Sequence, residues 1–131
     1  MRCLLDVNIL LALAHQSHAD HEKVGKWFQS VISVAKEFNT CSITELGFVR
    51  VSVQAGLASN ILFAQETLAG LKRSSRIPFV LIGDSLGGSD LPKYVKSHSQ
   101  LTDGHLLELA KSVGARLVTL DRGIPGALLA G

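Results

Sequence analysis

The chain has 131 residues, enough for a single domain, 1–131, with a sizeable core. Hydrophobic residues make up 47% of it and its mean hydropathy is +0.29, but no apolar run approaches the roughly 18 residues needed to span a membrane. The net charge of +2 favours an anionic substrate only mildly. The start does not resemble a signal peptide, and Cys3 and Cys41 lie in apolar runs. We therefore expect buried free thiols, a cytoplasmic location, no membrane association, and a partner or second copy that covers the surplus apolar surface.

Strand-like and helical segments alternate along the chain. Short apolar runs at 2–6, 39–41, 79–82 and 116–120 predict buried strands, and the longer segments between them predict helices. This alternation is typical of an α/β sandwich with a parallel sheet.

Asp6 follows the first strand directly, and Val7–Ala14 predicts a buried helix. The carboxyl end of a strand, with a helix starting at once, is where open α/β sheets place their sites. A helix-capping role explains Asp6 equally well.

Three histidines, His15, His18 and His21, follow this helix at intervals of three. Histidines at such spacings can bind zinc. On a helix, however, His15 and His21 lie well apart around the axis, and no cysteine is near. We favour polar contacts at a helix junction or with RNA.

Ser42-Ile-Thr-Glu45 precedes an apolar run and has the form of a capping box, which gives Glu45 a structural explanation. It also places a carboxylate in the first turn of a helix. Arg50 could contact a phosphate or pair with an acid, but it does not share a helix face with Glu45.

A later helix ends in a basic cluster, Lys72, Arg73 and Arg76, which could contact RNA phosphates or simply be solvated. Asp84 ends the third strand and competes for a place in an acidic site. The Gly- and Ser-rich sequence around Asp84 and Asp90 favours a turn role for both.

The stretch 94–100 is polar, and we expect it to be exposed. Thr102–Gly123 predicts a helix, a left-handed cap at Gly114, a buried strand and a sharp turn. Asp103 lies at the start of that helix, and Asp121 lies where the strand ends. The tail after Arg122 carries no recognisable chemistry.

Four acids therefore lie at element ends: Asp6, Glu45, Asp103 and Asp121. If they converge, two carboxylates about 4 Å apart repel by roughly 4 kcal/mol at an effective dielectric near 20. A divalent cation removes this repulsion, and an all-oxygen site favours Mg²⁺ or Mn²⁺ over zinc. Such an ion binds phosphate and lowers the pKa of a water, which suits phosphodiester hydrolysis. The chain has no P-loop and no Gly-x-Ser-x-Gly nucleophile elbow.

Four motifs together resemble a PIN domain and, more narrowly, the VapC toxins of bacterial toxin–antitoxin pairs. They are L-L-D-V-N-I-L-L-A-L-A at 4–14, T-E-L-G-F-V-R-V at 44–51, L-T-D-G-H-L-L-E-L-A at 101–110 and R-L-V-T-L-D-R-G at 116–123. The resemblance spans nearly the whole chain and is weakest over 79–99. It implies a PIN-like α/β/α sandwich with a central, mainly parallel sheet of four or five strands.

The resemblance also implies a Mg²⁺- or Mn²⁺-dependent endoribonuclease. It assigns Asp6, Glu45, Asp103 and Asp121 as the catalytic, metal-binding acids, with Asn8 and Thr119 as flanking polar residues that orient ligands or water. It implies a homodimer and a cognate VapB-type antitoxin that occupies the site.

Two other readings within this fold are an RNA-processing nuclease without a toxin role and a catalytically inactive protein-binding module. Retention of all four acids argues against the inactive module. A phosphotransfer receiver also combines acids with Mg²⁺, but it needs a lysine at a strand end, and none is found here. The sequence leaves open the RNA target, the number of metal ions, and the identity of the antitoxin.

Overall fold

A computed structural model describes all of residues 1–131. Five strands form one sheet in the order β3-β2-β1-β4-β5, and every neighbouring pair is parallel. The strands are β1 (Arg2–Leu5), β2 (Glu37–Thr40), β3 (Phe79–Leu81), β4 (Arg116–Thr119) and β5 (Leu128–Leu129). The helices are α1 (Val7–Ala14), α2 (His21–Val31), α3 (Ser42–Gln54), α4 (Ile61–Ser74) and α5 (Leu101–Ser112), with short 3₁₀ turns at Gly88–Asp90 and His98–Gln100.

The two faces of the sheet are covered by different helices. Cys3 and Leu5 of β1 point into a core shared with α1 to α4, whereas Leu4 points into a second core with Leu106 and Leu109 of α5. This alternation follows from the two-residue period of a strand. Helices on both faces of a parallel sheet confirm the predicted α/β sandwich.

The four predicted strands lie within one or two residues of the observed ones. The fifth strand, β5, has only two residues; the resemblance allowed a fifth strand, but no apolar run predicted one at this position. It pairs with β4 through Leu128 and Leu129 at one edge of the sheet. None of the helices combines the length and the hydrophobicity that a membrane span requires.

The predicted capping box at Ser42–Glu45 is wrong. Helix α3 begins at Ser42, so Cys41 is the N-cap, and its backbone N–H donates to Thr44 Oγ1 over 3.0 Å. The Glu45 side chain is therefore not used for capping. Cys3 and Cys41 are both free and buried, as predicted.

Glycines allow two close approaches that position site residues. A Cβ on Gly47 of α3 would lie 2.7 Å from Val7 Cγ2, at the start of α1. A Cβ on Gly104 of α5 would overlap Val95 Cγ2 in the preceding loop. Gly114 has φ +71°, which confirms the predicted left-handed cap of α5.

Candidate active site

Asp6 is held at the junction of β1 and α1 by two hydrogen bonds. Its Oδ1 accepts from the Val7 backbone N–H at 2.7 Å, and its Oδ2 accepts from the Thr119 hydroxyl at 2.8 Å. The residue is only 7% exposed. Burial raises the pKa of Asp6, with a smaller contribution from the Asp121 charge, while the bonds from Thr119 and Val7 act in the opposite direction. Asp6 thus caps α1 and also faces a second acid.

The Thr119 hydroxyl joins the ends of β1 and β4. It donates to Asp6 and accepts from Asn8 Nδ2 at 3.2 Å and from the Asp121 backbone N–H at 3.0 Å. These three bonds use its single donor and both of its lone pairs. Asn8 Oδ1 also accepts from the Leu120 N–H at 3.2 Å. Asn8 and Thr119 therefore fix the chain that carries Asp121 against the chain that carries Asp6.

Asp103 reaches the same place from the first turn of α5. Its pKa is raised from 3.8 to about 6, first by burial and then by the charges of Asp6 and Asp121. A hydrogen bond with the Asp121 side chain adds to the preference for the protonated form. Asp6, Asp103 and Asp121 thus form one electrostatic cluster, here called the acid cluster, at the carboxyl edge of the sheet.

Glu45 lies at the neighbouring strand end but outside the acid cluster. Its Oε2 accepts hydrogen bonds from the Thr40 hydroxyl at the end of β2 and from Lys72 Nζ on α4, the latter over 2.5 Å. It is not among the charges that raise the pKa of Asp6 or Asp103. The structure therefore brings three of the four predicted acids together and places the fourth beside the adjacent strand, paired with a lysine.

The three histidines have three different partners. His15 Nε2 bonds to Ser52 Oγ at 2.9 Å and its ring stacks on Phe48, while His21 Nδ1 bonds to the Ala12 carbonyl oxygen at 2.7 Å. His18 Nδ1 accepts from the Asp20 backbone N–H. Burial, with a smaller effect of His18, lowers the pKa of His15. These contacts place the histidines at the junction of α1 and α2.

Asp84 and Asp90 both stabilise turns, as predicted. Asp84 Oδ1 accepts from the Leu86 N–H, and Asp90 Oδ2 accepts from the Gly87 N–H. Asp84 Oδ2 also pairs with His105 Nε2 over 2.5 Å, and Asp84 is not among the charges that raise the pKa of Asp6 or Asp103.

Arg50 pairs with no acid in the structure. It lines an open cleft of about 330 Å³, together with Leu46, Val49, Val53, Gln54 and Ile61.

Tyr94 is a site neighbour that the sequence did not reveal. The residue was expected to be exposed, but it is half-buried and its hydroxyl is buried without a hydrogen-bond partner. Burial and then the charges of Asp103 and Asp121 raise its pKa, so it faces the acid cluster. A lone tyrosine in a polar stretch gave no signal of this role.

The donor set of the acid cluster fits a hard divalent cation. None of the ion pairs in the structure involves Asp6, Asp103 or Asp121, so these clustered charges lack a basic partner. Oxygen ligands of this kind select Mg²⁺ or Mn²⁺. In the observed side-chain conformations, no group of three or more Asp, Glu, His or Cys residues is arranged to coordinate a metal ion. The fit therefore rests on the chemistry of the donors and their uncompensated charge.

No family model matches the chain, but comparison with individual known proteins identifies relatives by sequence and by fold. Curated relatives from Mycobacterium tuberculosis do match nearly its whole length. Ribonuclease VapC38 (strain ATCC 25618 / H37Rv) is 40% identical over 124 residues, covering 92% of this chain and 86% of that protein. Ribonuclease VapC44 (strain CDC 1551 / Oshkosh) is 38% identical, covering 97% and 94%, and ribonuclease VapC39 from the same strain is 36% identical, covering 100% and 96%.

The crystal structure of PAE2754 from Pyrobaculum aerophilum has a similar fold. Its TM-score is 0.62 at 22% identity, and the match covers 99% of this chain and 90% of that one. At this identity the likeness supports the fold alone. Together with the full-length relatives, it confirms the resemblance that the four motifs indicated. The chain belongs to the VapC family of PIN-domain toxin ribonucleases.

Proposed function

We propose that this VapC-family protein is a Mg²⁺- or Mn²⁺-dependent endoribonuclease, a single PIN-like domain over 1–131, in which Asp6, Glu45, Asp103 and Asp121 form the active site. The observation that carries the proposal is the acid cluster, in which burial and then the charges of Asp6 and Asp121 raise the pKa of Asp103 to about 6. Like charges are costly to hold together, so a site that keeps them is expected to bind a cation.

Each residue has a defined task in this proposal. The divalent cation, when bound, supplies Lewis-acid stabilisation of the scissile phosphate and lowers the pKa of water. Asp6 and Glu45 would hold the ion. Asp6 is fixed by Val7 and Thr119, so its carboxylate provides a stationary ligand. Asp103 or Asp121 positions the attacking water and accepts its proton at a carboxylate oxygen.

The proposed partners are RNA, a VapB-type antitoxin that blocks the active site, and a second copy of the chain, all in the cytoplasm. An exposed apolar surface on α3 and α4 supports a protein partner. Leu46 is 67% exposed and Leu62 is 63% exposed, and Ile61 and Phe63 lie beside Leu62 in sequence and are also at least half exposed. Apolar patches of this kind mark protein interaction sites.

The test is RNA cleavage by purified protein that has been freed of any co-purified antitoxin. The wild type is assayed on total RNA with Mg²⁺, with Mn²⁺ and with EDTA, beside Asp6→Asn and Asp103→Asn. Asp20→Asn is the matched control, because Asp20 also precedes a helix but its side chain makes no capping bond and no ion pair. We expect cleavage that needs the metal, that both site variants lose, and that the control retains.

The outcomes separate the alternative readings. Cleavage by both site variants would exclude the acid cluster as the active site. Absence of cleavage by folded, metal-loaded wild type would favour an inactive protein-binding module. Active protein whose expression does not arrest growth, with no antitoxin encoded beside its gene, would indicate an RNA-processing nuclease.

A further inference from the structure

The Glu45–Lys72 pair joins the start of α3 to the end of α4. The two residues are 27 positions apart in the chain, and Lys72 Nζ lies 2.5 Å from Glu45 Oε2. Only 23% of the Glu45 side chain and 30% of the Lys72 side chain are exposed. Partial burial of this degree reduces the solvent screening that makes most surface ion pairs weak.

Both donors to Glu45 bind the same oxygen. Oε2 accepts from the Thr40 hydroxyl and from Lys72 Nζ, whereas Oε1 accepts no hydrogen bond from the protein. The donors come from separate elements, β2 and α4, so together they fix the orientation of the carboxylate. A carboxylate held by one oxygen keeps the other available to an ion, and such outer contacts orient the ligands of metal sites.

The net charge of the proposed site is also consistent with a lysine that stays paired with Glu45 when the ion binds. One divalent ion offsets only half of the charge of four ionised carboxylates, so a site with all four acids retains an excess of negative charge. Lys72 is the only basic side chain paired with any of the four. It reduces this excess without occupying Oε1.

We propose that Lys72 is a positioning residue, which holds Glu45 by Oε2 so that Oε1 is presented to the divalent cation. This inference rests on the proposed function, in which Glu45 is a metal ligand. It gives Lys72 a role in metal binding, apart from the contact with RNA phosphate that its place in a basic cluster suggests.

The experiment measures the Mn²⁺ affinity of the purified full-length protein, without RNA or antitoxin, by titration calorimetry and by the electron paramagnetic resonance of free Mn²⁺. Lys72→Gln should weaken Mn²⁺ binding about tenfold, the size expected when an outer-sphere partner is lost. Lys72→Arg should recover most of that affinity. Arg73→Gln, the matched control, removes the same charge from the next residue of α4 and should leave the affinity unchanged, because Arg73 pairs with no acid.

Thr40→Val removes the other donor to Oε2 and should also weaken Mn²⁺ binding. If Lys72→Gln fails to fold, as judged by circular dichroism, Lys72→Met removes the same charge and hydrogen bond from Glu45 Oε2 and is titrated in its place. Folded variants that bind Mn²⁺ as tightly as the wild type, or more tightly, would overturn the role of Lys72 while leaving the proposed metal site intact. A wild type that binds no Mn²⁺ would overturn the metal site itself.

Discussion

Asp103→Asn should make the protein more stable at neutral pH although it removes the proposed activity. The wild-type carboxylate is charged at neutral pH, partly buried, and close to Asp6 and Asp121. Asparagine has nearly the same shape and carries no charge. The substitution therefore removes the desolvation penalty and the repulsion together, while the side chain can still donate a hydrogen bond to Asp121.

The magnitude follows from the pKa of Asp103. A pKa raised from 3.8 to about 6 means that the folded protein binds this proton more tightly than the unfolded chain does. The stability this provides is therefore complete below about pH 3.8 and is lost as the pH rises through 6. For a pKa difference of this size, the stability lost between the two pH limits is about 3 kcal/mol. Because Asp103 is partly exposed, solvent screening reduces the expected effect to about 1 kcal/mol.

The assay is urea unfolding of wild type and Asp103→Asn between pH 4 and pH 8, with EDTA present. We expect Asp103→Asn to be more stable by about 1 kcal/mol at pH 8, with a difference that shrinks towards pH 4. Asp20→Asn should show no such pH-dependent gain. A difference that is constant with pH, or a wild type that is the more stable protein at pH 8, would refute the reasoning.

Three further substitutions test how the site is supported. Gly47→Ala places a methyl group against Val7 and should destabilise the fold by about 1–3 kcal/mol in urea unfolding, with slower RNA cleavage because α3 is displaced from the start of α1. Gly104→Ala places a methyl group against Val95 and should lower the free energy of unfolding by a similar amount. The double variant Gly104→Ala/Val95→Ala should regain most of that free energy. No recovery would show that the contact with Val95 does not cause the destabilisation. Tyr94→Phe removes a buried hydroxyl without a partner, so its unfolding free energy should be unchanged or higher by up to about 1 kcal/mol, and a clear decrease would mean that the hydroxyl is bonded.

All four acids were predicted as a group from their positions at element ends, and the structure brings three of them together. The carboxyl ends of parallel strands lie at one edge of the sheet, and β1 and β4 are neighbours, so Asp6 and Asp121 approach each other and the first turn of α5 brings Asp103 to them. Which strands are neighbours is not a local property. The first and fourth strands lie more than 100 residues apart in the chain, and no spacing in the sequence indicated that they pair; the family resemblance supported convergence without giving a strand order.

Glu45 shows where local patterns mislead. Ser42-x-x-Glu45 has the form of a capping box, but Cys41 and Thr44 cap the helix one residue earlier. The observed partners of Glu45 are Thr40 and Lys72, and Lys72 is brought there by the packing of α4 on α3. The approach of Tyr94 to the acid cluster likewise depends on the path of a loop. Contacts of this kind are set by tertiary packing, and no periodicity in the sequence encodes them.

Asp6 and Asp103 differ in how far their surroundings stabilise the charged carboxylate, and this difference bears on how the proposed site would bind a cation. Two hydrogen bonds from Val7 and Thr119 offset part of the burial cost of Asp6 and keep its carboxylate in one place. Asp103 has no basic partner, and its neighbours favour its protonated form. A cation that binds the cluster must therefore compete with a proton for Asp103 but finds Asp6 already oriented. In the proposed metal site, Asp6 and its hydrogen bonds would thus supply the geometry, whereas much of the electrostatic attraction for the ion would come from Asp103, the carboxylate that the protein alone stabilises least.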